Sequence, residues 1–186
     1  MLERAERQYP NWNATLSARM NYLLAQESYA SVLEILKEYQ ARFVSLAEGT
    51  EMLEATLLAA TGEREASLSL FEKNMETPDA FAYSQYAYGL VLLGEYEQAA
   101  KALDDGAALL ETSEEAPAMQ RQQRAQLLVV GAELAQAQGN SEEAMALLEQ
   151  ACALRWIPLE ANLSPQLKDL VLTDAFKDLS ARYPVE

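Results

Sequence analysis

The sequence predicts an all-α chain built as a row of stacked helical hairpins, on three observations: internal self-similarity, small residues at recurring offsets, and glycines placed where one helix would hand over to the next. Residues 81–103 carry a small residue at Ala87, a glycine at Gly94, an aromatic at Tyr96, then Ala99 and Leu103. Residues 126–151 repeat that order with Ala132, Gly139, Ala144, Leu148 and Ala151. The two glycines are 45 residues apart, longer than one repeat unit, so extra residues lie between the motifs. Self-similarity of this kind is the signature of a helical-repeat architecture.

Antiparallel helices approach closely only where side chains are small, which explains why alanines recur on both arms of each hairpin. Gly94 and Gly139 fall where the first helix ends, a position that favours a left-handed backbone. Glu95-Tyr96-Glu97 and Asn140-Ser141-Glu142-Glu143 follow as helix starts, with acidic residues near the positive end of the helix dipole. This pattern resembles the tetratricopeptide repeat, a helix-turn-helix unit of about 34 residues with small residues near its eighth, twentieth and twenty-seventh positions. Residues 80–113 and 125–158 match it best. In that register, residues 13–46 form a degenerate copy that keeps Leu16, Leu23, Tyr29 and Leu36 but has Met20 and Val32 at small-residue positions. Around Gly62, a further copy has Ala55 and Ala66, one residue short between the glycine and the following alanine.

The resemblance implies a right-handed α-solenoid of about four hairpins over residues 13–158. Residues 1–12 are expected to be the tail of a preceding repeat or an N-terminal cap, because Ala5, Pro10 and Asn11 fall where a unit would end. On that reading Leu2 to Gln8 belong to a helix whose partner precedes this chain. Residues 159–186 are expected to be capping helices. Ser164-Pro165 and Thr173-Asp174 read as helix starts, and Leu167, Leu170, Val171, Leu172, Phe176 and Leu179 supply the apolar faces. Glu111 to Pro117 reads as a connector, with Pro117 opening an unusually long helix toward Gln138. The ending resembles the carboxyl-terminal repeat region of bacterial multidomain signalling and transcription-regulator proteins.

Composition narrows the function. A chain of 186 residues, half of them apolar, can bury a core, and no apolar run approaches the roughly 20 residues that span a bilayer. The expectation is a soluble domain with no membrane segment. A cytoplasmic setting follows, or a periplasmic one if an export signal or anchor lies upstream. A net charge of −15, from 14 basic against 29 acidic residues, argues against nucleic-acid binding, which needs clustered lysine and arginine. The absence of histidine removes the usual general base and the commonest metal ligand, and the glycines form no phosphate-cradling loop. Cys152 is expected to be a buried inert thiol. No enzyme activity, cofactor or metal is expected.

Binding remains. In the tetratricopeptide family, the first helix of each hairpin lines a concave face. Carried onto this chain, its exposed positions are Phe81, Ser84, Tyr88, Val91 and Leu92, then Gln126, Val129, Glu133, Gln136 and Ala137, with Ser17, Asn21 and Leu24 from the degenerate unit. The partner-binding candidates are Asn21, Phe81, Ser84, Tyr88, Gln126, Glu133 and Gln136. Such a groove is aromatic and amide-rich with one acid and no basic residue, which suits a hydrophobic or polar peptide segment better than a carboxylate terminus. Two alternatives stand beside a protein- or peptide-binding scaffold. One is self-association into a homo-oligomer through Tyr22, Tyr29, Tyr39 and the end at Met1; the other is a small-ligand sensor that controls an attached output domain.

Overall fold

A computed structural model describes residues 13–42, 50–110, 117–154, 156 and 164–183. The expectations for residues 1–12 and for the connector from Glu111 lie outside the described residues. Among those described the chain is helical throughout, without a strand. It forms two compact units, Met1–Lys73 and Asn74–Glu186. The first contains α1 (Asn13–Ala25), α2 (Tyr29–Arg42), α3 (Glu51–Ala60) and α4 (Arg64–Asn74), the last reaching the boundary. The second contains α5 (Ala80–Leu92), α6 (Tyr96–Ala108), α7 (Ala118–Ala137), α8 (Ser141–Ala153), a 3-10 turn (Pro165–Leu167), α9 (Lys168–Val171) and α10 (Asp174–Arg182).

One turn, used four times, makes the hairpins. Each pair α1/α2, α3/α4, α5/α6 and α7/α8 is joined by three residues, the middle one with positive φ: Glu27 (56°), Gly62 (81°), Gly94 (76°) and Gly139 (81°). Two backbone bonds close each turn. At Gly139 its own N–H donates to the Gln136 carbonyl at 2.9 Å, and the Asn140 N–H donates to that of Ala135 at 2.8 Å. The other three turns have the same pair, Glu27 to Leu24 and Ser28 to Leu23 in the first. This is the Schellman arrangement, which satisfies two orphan carbonyls of the ending helix. The positive-φ residues follow one another at intervals of 35, 32 and 45 residues, so length varies between hairpins and not within the turns.

A fixed turn fixes the register of both arms. Seven residues before the positive-φ position stand Met20, Ala55, Ala87 and Ala132, and five after it Val32, Ser67, Ala99 and Ala144, all buried. In the second hairpin these two positions visibly face each other, since the Ser67 hydroxyl donates to the Ala55 carbonyl at 2.8 Å. This corrects the sequence expectation there: Ala66 is exposed, Ser67 is the small seam residue, and no residue is missing. Serine fits because its hydroxyl finds a partner across the seam. In the second unit the helices also come close at Gly106 on α6, where a Cβ would lie 2.7 Å from Tyr83 Cβ on α5 and 3.1 Å from Leu127 Cδ2 on α7.

Glu27 is the exception among the turns, because a side chain in the left-handed region crowds the following carbonyl. Glu27→Gly is expected to stabilise the chain by about 1 kcal/mol, read as a higher urea midpoint. A lower midpoint would show that the Glu27 side chain contributes more than its backbone strain costs.

Each unit has its own core. In the first, Leu16, Val32, Leu33, Ile35, Leu36 and Tyr39 pack with Leu57 and Leu58 of α3. In the second, α7 and α8 contribute Val129, Ala132, Ala144, Leu148, Ala151 and Cys152. Leu167, Leu170, Phe176 and Leu179 of the C-terminal segment complete that cluster. Leu172, expected in the cap's apolar face, is instead 78 % exposed. Ser164 opens a 3-10 turn, and its hydroxyl makes no capping bond, whereas Thr173 caps α10 by accepting from the Phe176 N–H at 3.2 Å. Pro117 directly precedes the 20-residue α7, the long helix expected from the sequence.

Candidate functional site

The first helices of the two hairpins in the second unit, α5 and α7, pack against each other, and both pack against α6. The local sequence positions them well. Asp79 caps α5 by accepting from the Ala82 N–H at 2.8 Å. Asn140 caps α8 reciprocally with Glu143: its Oδ1 accepts from the Glu143 N–H at 3.3 Å and its Nδ2 donates to the Glu143 carboxylate at 2.7 Å.

The candidate residues on these helices divide by burial. Phe81 is 51 % exposed at the start of α5, and Tyr88, two helical turns further along the same face, is half-buried. Gln126 and Gln136 on α7 are half-buried, and the Gln136 side-chain oxygen accepts from the Ser141 hydroxyl at 2.9 Å across the α7/α8 turn. Leu92 and Ala137 are also half-buried. In the first unit Asn21 is exposed on α1, with Ser17 and Leu24 partly so.

Four positions expected to be exposed are not. Ser84 is fully buried, its hydroxyl turned back to the Phe81 carbonyl at 2.7 Å, and Val91 is buried near the end of α5. Val129 belongs to the core shared by α7, α8 and the C-terminal segment. Glu133 is 5 % exposed. The physical reason at α7 is that the 3-10 turn Pro165–Leu167 packs on this helix.

Among the described carboxyl groups, Glu133 alone is buried. Burial pushes its carboxyl up from 4.5 to about 7, and the Ser164 hydroxyl partly opposes that rise. Ser164 lies near enough to favour the charged form, yet no hydrogen bond of normal geometry closes, and Glu133 Oε2, Ser164 Oγ and Gln166 Oε1 are all buried without a partner. Sequence reading gave Ser164 only as a helix start and did not single out Gln166, since no local pattern ties either to a helix some 30 residues earlier.

Nucleophilic chemistry finds little support at Cys152. Its thiol is buried, and burial first, then the negative charge of Glu149, push it up to about 11 against the opposing effect of Arg182. At neutral pH it is a thiol and not a thiolate. Among the described residues, no group of three or more acidic or cysteine side chains is gathered to hold a metal ion, and no helix is long and apolar enough to cross a membrane. In comparisons with known proteins, no family model, no curated protein and no solved structure matches the chain.

Proposed function

We propose that this chain is a non-catalytic scaffold of tetratricopeptide-like hairpins, arranged as a right-handed solenoid, that captures a protein or peptide segment as a module of a larger regulatory protein. The repeated three-residue turn and its fixed seam support the repeat reading. The observation that carries the function is Phe81, a large aromatic left half exposed on a first helix that packs beside the first helix of the next hairpin. Aromatic side chains of this kind are the usual anchors of peptide recognition. The docking surface reduces to Phe81, Tyr88, Gln126 and Gln136 in the second unit, with Asn21 as a separate contact in the first. Ser84 and Glu133 act behind that surface and not on it.

The test begins with selection of binding peptides from a random displayed library against the wild-type protein. Affinity for the best peptide is then compared in a variant with Phe81→Ala and Tyr88→Ala. Binding is expected to weaken at least tenfold, about 1.4 kcal/mol, with the helical circular-dichroism signal unchanged. Equal affinity for both proteins would remove α5 from the docking surface.

The self-association reading rests on Tyr22, which is 54 % exposed on α1, because Tyr39 lies in the core of the first unit and Tyr29 packs against that core. Sedimentation over a concentration range separates it from the scaffold reading.

A further inference from the structure

The junction between α7 and the C-terminal segment carries a polar arrangement that peptide capture does not use. Glu133 lies on α7 between the buried residues Ala132 and Leu134, on a helix that the 3-10 turn Pro165–Leu167 packs against. Three side-chain oxygens here, Glu133 Oε2, Ser164 Oγ and Gln166 Oε1, are closed to solvent and have no hydrogen-bond partner. Carboxylate and amide oxygens only accept, so the Ser164 hydroxyl is the single donor among the three oxygens and the set is short of donors. A buried carboxylate without a cation is costly, whereas the neutral acid converts one acceptor into a donor and removes the charge. We propose that Glu133 is a proton-operated latch: protonated, it lets the segment from Ser164 to Tyr183 dock on α7, and ionised, it loosens that segment.

Among the described residues, the surrounding charges neither supply a counter-ion nor explain the effect otherwise. Helices α5, α6 and α8 and the 3-10 turn make the main contacts with α7, and Phe176 and Leu179 of α10 share its core, with Asp174, Lys177 and Asp178 of that helix exposed. Helix α5 contains no acidic or basic residue. The charged groups of α6, Glu97, Lys101, Asp104 and Asp105, are exposed. On α8, Glu142 and Glu143 are exposed, Glu149 pairs with Arg182 of α10, and the Cys152 thiol is neutral. The 3-10 turn has no charge, and Lys168 and Asp169 just beyond it are exposed. Only burial and the Ser164 hydroxyl act appreciably on the Glu133 carboxyl.

The sign follows from the direction of the shift. The folded value, about 7, lies above the ordinary 4.5, so the contribution to docking is complete below pH 4.5, declines as pH rises through the interval, and is lost above about 7. The docked-to-loosened ratio falls about tenfold per pH unit inside that window.

Hydrogen exchange gives the cap-specific readout. Protection factors of the Leu170 and Leu179 amides, relative to those of Leu90 and Val91 in α5, are measured from pH 5 to 8.5 in the wild type and in Glu133→Gln. The glutamine is an uncharged isostere that also brings donors. The wild-type cap is expected to lose protection about tenfold per unit up to about pH 7, while the variant holds constant protection. The same pH profile in both proteins would overturn the latch. If the variant does not fold, carbon-13 titration of the wild-type glutamate carboxyls decides the matter. One carboxyl with a midpoint near 7 supports the proposal, and every midpoint in the ordinary carboxylate range overturns it.

Discussion

Replacing Phe71 with alanine is expected to destabilise the chain by about 3–5 kcal/mol, the largest effect of any single change considered. The ring, on α4, is fully buried. It stands nine residues after Gly62, the position held by Leu36 after Glu27 and by Leu148 after Gly139, both of which are also fully buried. Removing the ring forfeits its transfer from water and leaves a void that neighbouring helices fill only in part. The measurement is the urea midpoint with its slope, so that a change in the unfolded state is not mistaken for one in packing. A cost below about 1 kcal/mol, the scale of an ordinary substitution, would mean that the turn at Gly62 does not set the register of α4.

The second large effect comes from adding volume. Ala132→Leu places three further carbons at a seam position with no exposed surface, on a helix packed closely against α8. Overpacking of this kind costs about 1–3 kcal/mol, and the absence of any space puts this site near the upper end. No gain in helix propensity offsets it, since alanine is already the best helix former. Ala146→Leu, on the exposed face of α8, is the matched control and is expected to be nearly neutral. A neutral result at Ala132 would show that the small residues are not what lets α7 and α8 approach.

Much of the hairpin pattern was legible because the turn writes itself into sequence. Three of the four left-handed positions are glycines, and the small residues seven before and five after them, alanines except for Ser67, follow from helix geometry. The first turn was harder to read, because a glutamate gives no sign of positive φ; only its backbone bonds to Leu23 and Leu24 reveal it. The second hairpin offered two adjacent small residues, Ala66 and Ser67, and composition favours the alanine. The fixed turn length decides for the serine.

The candidate surface was legible at Phe81 and less so elsewhere. Assigning exposed positions on a first helix assumes that nothing lies over it, and on α7 the segment returning at Ser164 packs against that helix. Glu133 therefore read as the acid of a groove when it is a buried carboxyl. Ser84 misled for a different reason: its hydroxyl is satisfied by its own helix, so a polar residue could be buried at little cost.

The four inter-arm turns are closed by main-chain bonds, so their side chains can be exchanged widely provided one residue accepts the left-handed backbone. Insertions are absorbed in the connectors and in the first arms, as in the 20-residue α7 against the 13-residue α5. One extra residue within 138–140 would rotate α8 by about 100° and swing Ala144, Leu148 and Ala151 out of the interface. Such a chain can drift far in sequence and still fold its arms back at the same points, but it has almost no freedom to change length at three residues in each pair of helices.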